Sequence, residues 1–157
     1  MDSRLVSGQG MSSPIIPLHS INQYSIDQYL SGSDPVLVFD GGCPFCAHFA
    51  LASELRSGIS NLLIADGRLN HDLRLALAAR GYYLANGAML LAGGQILHGS
   101  AAIQWICQRM NTSDPLLKLL AKLLLRPQRA DKLYPLLLLA RRLALALKRL
   151  PVDPDNC

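Results

Sequence analysis

Two cysteines spaced as Cys43-Pro44-Phe45-Cys46 carry the strongest chemical signal in the chain. A Cys-x-x-Cys pair supports two chemistries, dithiol-disulfide exchange or one half of a four-ligand zinc site. Its position favours the first. The pair follows a short apolar run, Val36-Leu37-Val38-Phe39, and the turn Asp40-Gly41-Gly42, and it precedes a segment with helical periodicity. A thiol at a helix N-terminus meets unpaired backbone N–H groups and the positive end of the macrodipole, and both favour the thiolate. The thiolate is the form that attacks disulfides. Pro44 suits the first helical turn, where its fixed φ helps and its missing N–H costs nothing. A zinc site needs a second Cys/His pair at related spacing. Cys107 and Cys157 are solitary and His19, His48, His71 and His98 are scattered. No metal and no cofactor are therefore expected, and inert buried thiols are the plain alternative.

Spacing also assigns roles. Cys43, at the exposed edge of the helix, is the expected nucleophile, and Cys46, one turn inward, the resolving thiol. Asp40 either relays a proton or caps the loop by accepting backbone N–H bonds, and capping is favoured. His48 reads as a partly exposed helical residue rather than a tuning group. Cys107 reads as a small buried apolar residue, Trp105, Tyr82 and Tyr83 as packing, and Cys157 as the exposed end of a polar terminus.

The elements that must position these residues follow from periodicity. A short helix is expected at 26–30, with Ser25 and Gln28 at capping-box spacing. Val36 to Phe39 suits a strand covered on both faces. The Cys-x-x-Cys helix should run to about Arg56, with Phe45, Phe49, Ala52 and Leu55 or Leu51 inward. Leu62 to Ala65 is a second strand, and Asn70 or His71 to Arg80 a helix ended by Gly81. Ala88 to Ala92 and Gln95 to Leu97 flank Gly93-Gly94, a hairpin signal. Ala101 to Met110 is a helix capped by Ser100. The order β-α-β-α-β-β-α predicts an α/β protein with the mixed sheet of the thioredoxin superfamily.

Asp40-Gly41-Gly42-Cys43-Pro44-Phe45-Cys46 after a hydrophobic strand resembles the signature of the DCC family of thiol-disulfide oxidoreductases. Gly93-Gly94, Gly99 and Ala102 also fit, over Pro35 to Met110 and more loosely into the tail. The resemblance implies a thioredoxin-like fold and dithiol-disulfide activity on a protein or small-molecule partner. Cys43 and Cys46 match the family dithiol and Asp40 its leading acid. The Cys-Pro-Phe-Cys tetrad also resembles glutaredoxins. However, the place of their cis-proline falls on Ala88, so a trans backbone or one shaped by Gly87 is expected. Ala101 and Ala102 replace the acidic residues by which glutaredoxins hold glutathione.

Charge divides the chain. Nine basic residues between Leu116 and Leu150 face one acid, Asp131, a net +8 that leaves −4 for the rest of a chain whose total is +4. The expected organisation is an N-terminal extension at 1–34, a redox domain at 35–111 and a basic, leucine-rich helical extension at 112–157. Its two helical stretches are parted at Arg126-Pro127 and interrupted by Pro135, and no apolar run is long enough for a membrane span. The leucines are expected to pack on the domain while Lys and Arg form a solvated face. The alternative is an interaction module whose basic amphipathic surface meets a membrane or a protein, with the cysteines structural or metal-binding. Nucleic acid is not expected, because Tyr134 is the segment's lone aromatic. Met1 to Pro17 lacks a signal-peptide core and the cysteines do not form a secreted framework. The cytoplasm is the expected compartment, with a peripheral membrane position open through the tail.

Overall fold

The computed structural model describes residues 26–56, 58–59, 61–111, 115–124 and 126–154. Helix α1 (Ile26–Ser31) is followed by β1 (Val36–Phe39), α2 (Pro44–Arg56), β2 (Leu63–Asp66) and α3 (His71–Ala78). A 3-10 turn at Leu84–Asn86 leads to β3 (Met89–Ala92), β4 (Gln95–His98) and α4 (Ser100–Arg109). The tail forms α5 (Pro115–Leu124) and α6 (Pro127–Leu147). Ser25, half of the expected capping box, and Cys157 lie outside the described residues.

The sheet order is β2-β1-β3-β4. β1 runs parallel to β2 and antiparallel to β3, and β4 is antiparallel to β3. All four residues of β1 are buried, as a continuous apolar run requires when helices cover both faces. Strand alternation sends Val36 and Val38 into one layer with Leu73 and Leu77 of α3. Leu37 and Phe39 enter the other layer with Ala50 of α2 and Ile106 of α4. The Gly93-Gly94 turn has φ values of 57° and 77°, the sign that a type I′ hairpin needs. This is the expected thioredoxin-like α/β arrangement, with a C-terminal helical addition.

Several local expectations change. Gly99 takes the cap position of α4, and Ser100 is the first helical residue, its hydroxyl donating to the Asp131 carboxylate of α6 at 2.9 Å. Helix α2 buries Ala50 and Ala52 and leaves Phe45 and Leu51 exposed, because small residues let a helix approach the sheet closely. Pro135 sits inside α6 and does not interrupt it. A helical proline costs roughly 3 kcal/mol. The preceding turn is tied down by Tyr134, which donates to the Asn86 carbonyl at 3.2 Å, and by Asp131.

The tail departs furthest from expectation. Helices α5 and α6 pack on α4, and α6 also reaches α2, yet the two faces of α6 do not divide into leucine inside and charge outside. Leu145 and the charged Arg141 are buried, whereas Leu136, Leu139, Leu143 and Leu147 remain exposed. Among the described residues no helix is long and apolar enough to cross a membrane.

Candidate active site

β1 and β2 are parallel with Phe39 opposite Asp66, so the loops leaving their carboxyl ends meet. Such a crevice is where open α/β sheets place ligands. Asp66 Oδ1 accepts the Gly41 N–H at 3.0 Å and the Arg68 N–H at 2.9 Å, which joins the two loops. Buried Arg74 supports the second loop from below, donating to the carbonyls of Gly67 and Arg68 at 2.8 and 2.7 Å. Arg68 is thereby aimed back across the crevice.

The dithiol stands where the first loop becomes helix. Cys43 N–H donates to the Asp40 carbonyl at 3.0 Å, and Cys43 precedes α2 as its capping residue. Its Sγ accepts the Cys46 N–H at 3.4 Å, a sulfur performing the task of an N-cap oxygen. A hydrogen bond from the Cys46 thiol is the main reason the Cys43 thiol is lowered to about 6 from the usual 9.0. Burial opposes this, while helix N–H groups and the charge of Arg141 add to it. The same hydrogen bond, together with burial, pushes Cys46 upward. The two sulfurs are thus shifted in opposite directions, Cys43 toward the thiolate and Cys46 toward the thiol.

Asp40 is buried between two guanidiniums. Arg68 donates to both carboxylate oxygens, at 2.7 and 3.0 Å, and Arg141 reaches Oδ2 at 2.6 Å. Burial alone would raise the Asp40 carboxyl, but the hydrogen bonds and charges of Arg68 and Arg141 outweigh it and hold the group below the usual carboxylate range. Asp40 Oδ1 also accepts the Gly42 N–H at 3.0 Å, so the residue does cap the loop. Two cations and one carboxylate leave a net positive charge beside the dithiol, which favours a thiolate there. Gly42 is squeezed by this network, since a Cβ would come within 2.7 Å of Arg68 Nε and 3.0 Å of Leu150.

One face of α6 roofs the site. Tyr134, Arg141 and Lys148 recur every seven residues, and buried Leu145 lies between the last two. Lys148 Nζ donates to the Gly42 carbonyl at 3.2 Å, and Arg68 reaches the Pro151 carbonyl at 2.8 Å. The expected exposure of Cys43 is reversed. Cys43 has no exposed surface, while Cys46 is only half-buried, and the chain leaving α6 lies against Gly42 of the same loop. Tyr134 occupies the place beside Gly87, where a Cβ would overlap its hydroxyl. Its phenol is pushed up to about 12 by burial and by the nearby Cys46. Gly87 has φ 130°, and no cis peptide occurs among the described residues.

Asp40, Cys43 and Cys46 thus come together, and His48 does not join them, being exposed further along α2. Cys107 is buried in α4, and burial pushes its thiol up to about 11. Trp105 lies under the Arg109 guanidinium at 4.1 Å, and Tyr82 meets His98 edge to face. Among the described residues no group of three or more His, Cys, Asp or Glu side chains is arranged to hold a metal. Arg68, Arg141 and Tyr134 were not singled out from sequence. The available signals were the meeting of two parallel-strand loops and a seven-residue polar period within a leucine-rich helix.

A helix-terminal Cys-x-x-Cys above a β2-β1-β3-β4 sheet defines the thioredoxin-like class of dithiol proteins. Within it, residues 37–146 match the model of the DCC1-like thiol-disulfide oxidoreductase family, and the chain belongs to that family. No curated protein and no solved structure matches it.

Proposed function

We propose that the chain exchanges disulfides through Cys43 as nucleophile and Cys46 as resolving thiol. The observation that carries this reading is the Cys43 sulfur at the N-terminus of α2, accepting the Cys46 N–H with the Arg68-Asp40-Arg141 cluster beside it. The Cys43 thiolate attacks one sulfur of a substrate disulfide, forms a mixed disulfide and expels the other substrate sulfur as a thiolate. Cys46 gives its proton to that leaving thiolate and attacks the Cys43 sulfur. The bond to substrate breaks, the second substrate sulfur leaves as a thiolate that takes its proton from water, and a Cys43-Cys46 disulfide forms. Two electrons pass to the substrate, and an external dithiol restores the pair by the reverse steps. Asp40, held ionised by two arginines, serves as cap and charge anchor rather than proton relay. Exposed Phe45 offers an apolar contact beside half-buried Cys46. Since Cys43 has no exposed surface, attack requires a local opening of the site.

Cys46→Ser should retain a substrate as a stable mixed disulfide, visible by non-reducing electrophoresis and mass spectrometry, while Cys43→Ser should neither trap nor turn over. Trapping by Cys43→Ser with an inactive Cys46→Ser would exchange the two roles.

A further inference from the structure

We propose that the outer face of α6 is a docking surface for an anionic membrane, which holds the dithiol against the lipid-distal side of the same helix. Successive helical residues are rotated by about 100°, so residues two apart lie on opposite faces. Each of three inward residues is followed two positions later by an exposed leucine. Tyr134 is followed by Leu136, Arg141 by Leu143 and Leu145 by Leu147. With Leu139 they form a stripe about 16 Å long. These four side chains are 62, 53, 59 and 88% exposed. A helix that merely completed a core would turn its leucines inward and its polar groups out. Here polar groups of the site occupy the inward face, and the outward leucines are left largely uncovered among the described residues.

Charge selects the occupant. Exposed Arg129 and Lys132 stand at one end of the stripe, Arg142 on its flank and Arg149 just beyond the other end. The one acid between residues 115 and 150 is Asp131, whose carboxylate receives the Ser100 hydroxyl. A second copy of the chain would bring an equally basic rim against this one. An anionic lipid surface instead receives the leucines at the level of its acyl boundary and the Lys and Arg among its headgroups, the pattern of interfacial helices. Since no helix among the described residues can span a bilayer, the contact is peripheral.

The test uses the full chain with vesicles of phosphatidylcholine alone and of phosphatidylcholine mixed with phosphatidylserine. The protein should float with the mixed vesicles at low salt, should be released as salt rises, and should not float with phosphatidylcholine alone. Leu139→Glu/Leu143→Glu, at exposed positions where glutamate preserves helicity, should lower the bound fraction at least tenfold. Its melting temperature and Cys43 alkylation profile should match those of the parent chain, which separates lost docking from lost folding. Absence of salt-sensitive flotation, or equal flotation of the double variant, overturns the proposal. So does a concentration-dependent dimer that the double variant abolishes in the absence of lipid, which would assign the face to a second copy. Dithiol activity is not part of this readout, so the surface and the redox reading stand or fall separately.

Discussion

The Cys43 thiol is lowered by partners on two elements, Cys46 and Phe45 of α2 and Arg141 of α6, and those partners predict its behaviour. Its thiol, lowered to about 6 first by the Cys46 hydrogen bond, should show an alkylation rate with its midpoint near that pH. Cys107, pushed up to about 11 and buried, should stay unmodified throughout. Arg141→Met removes one of the two cations on Asp40 and the charge that stabilises the Cys43 thiolate. The alkylation midpoint should rise, and the fold should lose roughly 3 kcal/mol in a denaturant titration, because a buried ion pair is broken from one side. Retention of the parent midpoint would show that the Cys46 hydrogen bond and helix N-terminus suffice. The sign of the Asp40 linkage is set by its lowered folded value. Its contribution is complete above the ordinary carboxyl value of 3.8 and is lost as pH falls through the depressed folded value. For Cys43 the window is higher. Between about 6 and 9.0 the native thiol releases a proton that the unfolded chain keeps, so the reduced protein should gain stability over that range relative to Cys43→Ser. Melting temperatures of both proteins measured across that interval check the sign.

The elements show which signals were local and which were not. β1, the start of α2 and the Gly93-Gly94 hairpin were legible because apolar runs, proline at a first turn and paired glycines act through nearest neighbours. Cys43, Cys46 and Asp40 were legible for the same reason, being three residues on one loop. Arg68 and Arg141 were not, since each reaches Asp40 only after the sheet and tail have packed, across 28 and 101 residues. The full burial of Cys43 was not legible either, since a cysteine at a helix start reads locally as exposed. We expect the chain after α6 to act as a cover over the loop, which makes its own prediction. Lys148 holds the Gly42 carbonyl at 3.2 Å from an exposed position, so Lys148→Ala should loosen the cover at little cost to stability. Cys43 alkylation at saturating pH should become several-fold faster while the melting temperature moves little. An unchanged rate would mean that the segment does not control access.

On the scale of the whole molecule, we propose that the tail works with the redox domain as one unit. The family match, over residues 37–146, runs across the expected boundary near residue 111, and the contacts of the tail support that reading. A chain ending at Asn111 loses Arg141, Tyr134 and Leu145 together. Asp40 then keeps Arg68 alone, and the space beside Gly87 empties. The layer of α4 that meets α5 and α6 is also left to water. We expect such a truncation to aggregate or to melt without cooperativity. Because a failed fold says little about which contact mattered, two leucines of one helix supply the sharper comparison. Leu145 has no exposed surface, whereas Leu143, two residues earlier, is 59% exposed on the opposite face. Leu145→Ala should cost about 2–5 kcal/mol, the usual penalty for emptying a packed leucine site. Leu143→Ala should change stability by less than about 0.5 kcal/mol. Leu145→Ala should also speed Cys43 alkylation, since α6 is the roof of the site, and Leu143→Ala should not. Similar small effects from both substitutions would mean that α6 is held to the domain by its polar contacts alone.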